Sequence, residues 1–176
     1  MTARSRRAAQ SDTFAAVFQQ HAPFVLRVMR HLGVPPADLQ DQSQEVFVAV
    51  FRGLPDFSER SSLQTWIYGI CVRVASNHRR RAHVRRERSV SEPPEQVSPA
   101  QQDELLERQQ SRPRLERLLE SLEPEQRAVF VLYELEELSM KAVAEVCGCP
   151  LQTAYSRLHA ARRRLLDRYQ QTESQP

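Results

Sequence analysis

Lysine is nearly missing from this chain, glycine is scarce, and cysteine is too rare to build a disulfide framework. The single lysine is Lys141, against 24 Arg, and only 4 Gly occur in 176 residues. So little glycine, beside much Ala, Leu, Arg, Glu and Gln, argues against a turn-rich sheet protein and for helices. It also leaves no Gly-rich phosphate loop. The three cysteines, Cys71, Cys147 and Cys149, fit a reducing compartment, so a cytoplasmic location is expected. Cys147-Gly-Cys149 has no second ligand pair nearby and reads as two small core thiols rather than a zinc site. The five His are scattered. No catalytic residues, metal, cofactor or small-molecule substrate are therefore expected, and the chain is not read as an enzyme.

Long apolar runs are also missing. No stretch approaches the roughly 18 to 20 apolar residues that span a bilayer, so no membrane insertion is expected. The N-terminus "MTARSRRAAQSD" is basic with no apolar segment behind it. It does not read as a secretory signal, and residues 1–11 are expected to form a disordered basic arm.

Charge is distributed unevenly. Residues 1–88 hold 14 Arg against 7 Asp/Glu, net +7; residues 89–123 hold 4 against 8, net −4; residues 124–176 hold 7 charges of each sign, Lys141 among them. A GC-rich genome favours Arg, but the guanidinium also suits planar, bidentate partners such as phosphate.

Periodicity predicts helices throughout. Ser11 or Asp12 is placed to cap a first, with Phe14, Val17 and Phe18, and Pro23 to open a second that ends at Gly33. "ADLQDQSQEVFVAVFRGL" places Val46, Phe47, Val50, Phe51 and Leu54 at helical spacing. After the loop "PDFSERSS" a long helix starts near Ser62 and runs into an Arg cluster at 79–88. Trp66 and Tyr68 beside that cluster suit single-stranded nucleic acid, where bases stack on rings while Arg tracks the backbone. "SVSEPPEQVSPAQQDE" is polar and Pro-rich and reads as a flexible linker. Helical patterns resume at "LLERQQ", break near Pro113, and continue through "EPEQRAVFVLYELEEL".

The most informative stretch is "LSMKAVAEVCGCPLQTAYSRLHAARRRL". Ser139 caps a short helix, Gly148 ends it in a left-handed turn, and Pro150 opens the next. Leu151, Ala154, Leu158, Ala161 and Leu165 form one apolar stripe. The opposite face carries Gln152, Tyr155, Ser156, His159, Arg162 and Arg163. A solvated helical hairpin would satisfy the same periodicity. However, Pro150 through Leu166 contains no Asp or Glu, whereas solvated faces usually mix signs. The layout is that of a helix laid in a major groove.

These segments, in this order, resemble the extracytoplasmic-function (ECF) branch of the sigma-70 family of RNA polymerase sigma factors. "DLQDQSQEVFVAVF" resembles the family's D-x-x-D-x-x-Q-E helix of region two. "SLQTWIYGICVRVASNHRRR" resembles its T-W-L-Y-x-I-x stretch with trailing basic run, and Leu119–Leu165 resembles region four with its S-R-L-x-x-A-R ending. The resemblance implies an all-α protein of two small helical domains joined by a flexible linker: region two over 12–88, the linker over 89–104, region four over 105–170 and a tail over 171–176. The implied partners are core RNA polymerase (β′ clamp and β flap), promoter DNA and an anti-sigma factor. Asp38, Asp41, Gln44, Glu45 and Phe51 would bind core polymerase. Phe57, Ser58, Trp66, Arg73, Asn77 and Arg80 would meet the minus-ten element. Gln152, Thr153, Tyr155, Ser156, Arg157, His159 and Arg162 would meet the minus-thirty-five element.

The chain departs from the family pattern at several of these positions. Arg73 and Asn77 stand where the family often has Asn and Asp. Gln152 replaces a frequent Gly, and Tyr155 a frequent Arg or Lys that would make a bidentate contact to guanine. Ala142 replaces a capping-box Glu, and Gln40 and Ser43 replace apolar residues beside the polymerase motif.

Overall fold

The computed structural model describes residues 3–88 and 114–173, and every regular element in them is helical. Three helices make the first half: α1 (Ala3–His31), α2 (Leu39–Gly53) and α3 (Leu63–Arg88). The second half comprises α4 (114–120), α5 (Pro124–Phe130, continued by a π turn over Val131–Leu135), α6 (Met140–Cys147) and α7 (Leu151–Glu173). The linker expected over 89–104 and the segment "LLERQQ" lie outside the described residues.

The first helix corrects the sequence reading. Two helices and a disordered arm were expected; α1 is one helix that begins at Ala3 and carries Pro23 within it. The stripe Val17, His21, Phe24, Val25, Val28, Met29 and Leu32 is buried without interruption across Pro23. A proline removes one backbone donor and crowds the preceding turn, at a cost of about 3 kcal/mol. Burying seven side chains of one continuous stripe offsets that cost. Upstream, Ala, Arg and Gln are strong helix formers, which extends the helix back through the expected arm.

Local signals elsewhere act as read. Ser139 Oγ accepts from Ala142 N–H at 3.3 Å, and Ser62 Oγ accepts from Thr65 N–H at 3.1 Å. Gly148 ends α6 at φ +62°, and Gly33 follows α1 at φ +91°, both left-handed positions that suit glycine.

The two halves share one contiguous buried cluster, and polar contacts join them, among them a 3.7 Å pair of Arg30 with Glu116 and denser groups at two points. The first is the end of α1, whose last carbonyls lack intrahelical donors. Arg127, buried at the end of α5, donates from Nε to the carbonyl of His31 and from Nη2 to that of Arg30 at 3.4 Å. Arg79 of α3 donates to the carbonyl of Leu32 at 2.9 Å. Two guanidinium groups thus stand at the negative end of the α1 dipole. Gly33 makes room for Arg127: a Cβ there would lie 2.8 Å from its Nη1. Burial depresses the Arg127 pKa to about 10, and it remains a cation at neutral pH.

The second point is Glu136, just after the π turn. Its side chain is 3% exposed and receives Arg27 in a two-pronged contact, Nε–Oε1 3.1 Å and Nη2–Oε2 2.8 Å. Tyr68, 1% exposed, donates its hydroxyl to Oε2 at 2.6 Å and accepts from Gln64 at 3.0 Å. Its burial, then its bond to the Glu136 carboxylate, pushes the Tyr68 pKa up. The hydrogen bond to Glu136 raises that of Arg27. Tyr68 is therefore part of the junction between the halves and cannot stack on bases, as its place beside the Arg cluster had implied.

Glu136→Ala is expected to leave the Tyr68 hydroxyl without its acceptor and to cost about 2–4 kcal/mol. Urea unfolding would register a lower midpoint and X-ray scattering a larger radius of gyration; an unchanged profile in both would dissociate Glu136 from the junction. Acid should weaken the same junction. Burial, together with the nearby Arg27, Arg30 and Arg127 and opposed by Glu136, lowers the His31 pKa; burial lowers that of His21. Both are neutral when folded, so their contribution is complete above the unfolded value of about 6.5. It erodes below that, because the unfolded chain takes up protons first. Stability measured from pH 7.5 to 5.5 should fall, and His31→Gln should flatten the slope.

Candidate nucleic-acid interfaces

Three surfaces carry the residues singled out from the sequence. The first is α2 with the turn before it. Asp41, Gln44 and Glu45 are exposed on one side of the helix, and Asp38 precedes it in a short 3-10 turn over Pro36–Asp38. Two of these acids have partners on α3. Asp38 Oδ2 lies 3.0 Å from His78 Nε2, and Glu45 Oε1 lies 3.7 Å from Arg81. Sequence spacing gave no sign of either pair. Among the described residues no group of three or more His, Cys, Asp or Glu gathers as metal ligands do.

Phe51 is exposed on the same side of α2 as Gln44, two turns on, and closes edge-on against Phe14 of α1, centroids 5.1 Å apart. It belongs to an open apolar groove between α1 and α2 with Phe18, Leu26, Phe47 and Val48. Phe18, Leu26 and Val48 were not assigned a role from the sequence. The available signal was that each lies off the buried stripe of its own helix while remaining large and apolar.

The second surface runs along α3. Trp66, Arg73, Asn77 and Arg80 are separated by 7, 4 and 3 positions, which places them within an arc of about 60°. Arg73, Asn77 and Arg80 are exposed, and Arg80 donates to Asn77 Oδ1 at 2.8 Å. Trp66 is half-buried at the N-terminal end of this face. Phe57 lies against it at 5.2 Å, and Ser58 is exposed beside it in the loop. Gly53 closes the other side: a Cβ there would lie 2.8 Å from the Trp66 ring. The site is thus a ring pair at the mouth of a loop, continued by amide and guanidinium groups along the helix. That combination gives a base something to stack on and its phosphates something to follow.

The third surface is α7. Met140, Val143 and Ala144 of α6 and Ala154, Leu158 and Ala161 of α7 are buried, α7 packing on both α5 and α6. The small Ala154 and Ala161 allow close packing. Gln152, Tyr155, Ser156, His159 and Arg162 are exposed, while Thr153 and Arg157 flank them half-buried. Leu151, assigned to the apolar stripe, is instead exposed. It lies in the first turn, at the edge of an open cleft that it shares with Lys141, Ala144 and Glu145 of α6. Arg162 is engaged within the chain, 2.6 Å from Glu134 and 5.8 Å from the Tyr133 ring centroid. Cys71 is buried, and burial pushes its thiol and that of Cys147 up to about 12, which leaves both as inert thiols at neutral pH.

Gly53→Ala tests how tightly the ring pair is held. The new methyl must displace the Trp66 ring, the chain's single tryptophan. Its fluorescence should shift to the red as it moves into solvent, and an unshifted spectrum would mean the ring is not seated against Gly53.

Comparison with known proteins places these surfaces in a family. Residues 17–85 match Sigma-70 region 2, and residues 112–165 match Sigma-70, region 4. The RNA polymerase sigma factor YlaC of Bacillus subtilis is 29% identical over 153 residues, 86% of each chain. The ECF RNA polymerase sigma factor SigC of Mycobacterium tuberculosis is 34% identical over 132 residues, 72% of this chain and 67% of that protein. The fold resembles that of the sigma factor RpoE from Bartonella quintana, solved with the anti-sigma factor NepR. The TM-score is 0.61 and the identity 25%, over 85% of this chain and 94% of that one. Among the described residues no helix is long and apolar enough to cross a membrane. A helix-turn-helix preceded by a basic, ring-bearing helix, matched in both halves to the two sigma regions, makes this chain an RNA polymerase sigma factor of the sigma-70 family, ECF branch, acting in transcription initiation.

Proposed function

We propose that the chain binds core RNA polymerase through the α2 surface and directs it to promoters by reading a minus-ten element with α3 and a minus-thirty-five element with α7. The observation that carries this reading is the pair of chemically different nucleic-acid surfaces on one chain. The α3 face offers a ring pair with polar and basic followers, suited to an unpaired strand. The α7 face offers a polar stripe backed by a close-packed helix, suited to a duplex groove. Extracting a base costs a few kcal/mol, which Trp66, Phe57 and the polymerase together offset. Domains 12–88 and 105–170 are assigned to these two tasks, with Asp41, Gln44, Glu45 and Phe51 presented to polymerase. Asp38 joins them on release from His78. The role is one of recognition, without a catalytic residue of its own.

An anti-sigma factor is a fitting partner. The apolar groove beside Phe51 adjoins the polymerase surface, so a protein seated there would compete with core polymerase.

The test is run-off transcription with bacterial core polymerase on a pool of upstream genomic fragments. Wild-type chain should produce discrete start sites. Asp41→Ala/Glu45→Ala should reduce co-elution with core. Trp66→Ala should retain core and lose about fivefold or more in open complex, the size of one base–aromatic contact. A chain that shifts promoter duplex alone, yet neither joins core nor directs a start, would instead be an autonomous helix-turn-helix regulator.

A further inference from the structure

We propose that the first two turns of α7 read thymine methyl groups, with Leu151 and Tyr155 as specificity-determining residues, so that the minus-thirty-five segment beneath them is rich in A·T pairs. This rests on the proposed placement of α7 in a major groove.

Three observations carry it. Leu151 is 47% exposed and Tyr155 is 50% exposed, one turn apart at the N-terminal end of α7, where Ala154, Leu158 and Ala161 are buried; Leu166 and Tyr169 are exposed further along, beyond the first two turns. Large apolar side chains facing solvent in adjacent turns make a patch that gains by meeting apolar surface. In a major groove the apolar feature of a base edge is the C5-methyl of thymine.

The polar members of the same stripe point the same way. Leu151, Gln152, Tyr155, Ser156 and His159 fall within an arc of about 140°. Gln152 is exposed, and a glutamine amide pairs in two-pronged fashion with adenine N6 and N7. Ser156 spends its hydroxyl proton on the Gln152 carbonyl at 3.0 Å. Residues 151–156 contain no Arg or Lys, the groups that read guanine. Arg157 is the first cation and sits half-buried at the flank.

Charge favours DNA over a protein as the occupant of this patch. Pro150 through Leu166 carries no carboxylate and holds Arg157, Arg162, Arg163 and Arg164. Arg163 is exposed on the stripe side. That is a surface complementary to phosphate.

The experiment uses holoenzyme reconstituted from the full chain and core polymerase, on a promoter taken from the run-off pool. Each minus-thirty-five thymine is replaced in turn by deoxyuridine, which removes the methyl alone. At one or two positions initiation should fall about three- to fivefold, the value of one buried methyl. Tyr155→Ser and Leu151→Ser should each erase that sensitivity at its own position while co-elution with core is unchanged. Two results overturn the inference: uracil tolerated at every position, or serine variants that lose core polymerase with no change in uracil sensitivity. The latter would make the patch a protein-docking surface. If the wild-type chain directs no start site at all, the initiation reading fails and this inference falls with it.

Discussion

A carboxylate that water barely reaches sits between the two halves of this molecule, and it must be matched by donors or it would not be tolerated there. Glu136 is matched from both sides of the chain's long separation in sequence, by Arg27 of α1 and Tyr68 of α3. Arg127 imposes a similar constraint at the end of α1, filling its last carbonyls from within region four. Neither group would gain much by burial for its own sake, since desolvating an ion costs about what its pairing returns. What such contacts supply is definition. A purely apolar contact slides, whereas a two-pronged guanidinium–carboxylate pair and a capped helix end each fix one orientation.

Several residues assigned to outside partners hold inside ones. Asp38 faces His78, Glu45 approaches Arg81, and Arg162 bonds Glu134. These pairs are surface contacts of modest strength, typically about 0–1 kcal/mol each. On the proposed reading they keep charged groups ordered in the free protein and would cost little to exchange for polymerase or DNA. The exposed members, Asp41, Gln44, Gln152 and Tyr155, need no such exchange.

The helical class, the turn between α6 and α7 and most of the site faces were legible in the sequence, because they depend on local rules. Ser139 caps, Gly148 turns left, and the α7 stripe repeats at helical spacing whatever surrounds it. What escaped was set by distant neighbours. Pro23 reads as a helix start, and only the uninterrupted burial of Val17 through Leu32 overrides it. Tyr68 beside an Arg run reads as a stacking platform until Glu136, 68 positions away, claims its hydroxyl. Leu151 continues an apolar stripe by spacing, but the cleft that it shares with α6 stays open and leaves it exposed. The His78–Asp38 pair spans 40 positions and leaves no periodic trace.

The π turn over Val131–Leu135 gives the junction an unusual dependence on chain length. Glu136 N–H bonds back to the carbonyl of Val131 at 3.0 Å, one residue further than an α-helix allows. Each residue in a helix advances the chain by about 100°. Removing one from this turn would restore ordinary winding and swing Glu136 roughly a quarter-turn around the axis, away from Arg27 and Tyr68. The exposed Glu134 and the half-buried Tyr133 could be exchanged for other residues with the carboxylate still on target; the count could not change. Between residues 131 and 135 the chain is therefore held to a tally rather than a spelling, and insertions or deletions there should be rarer among working variants than substitutions.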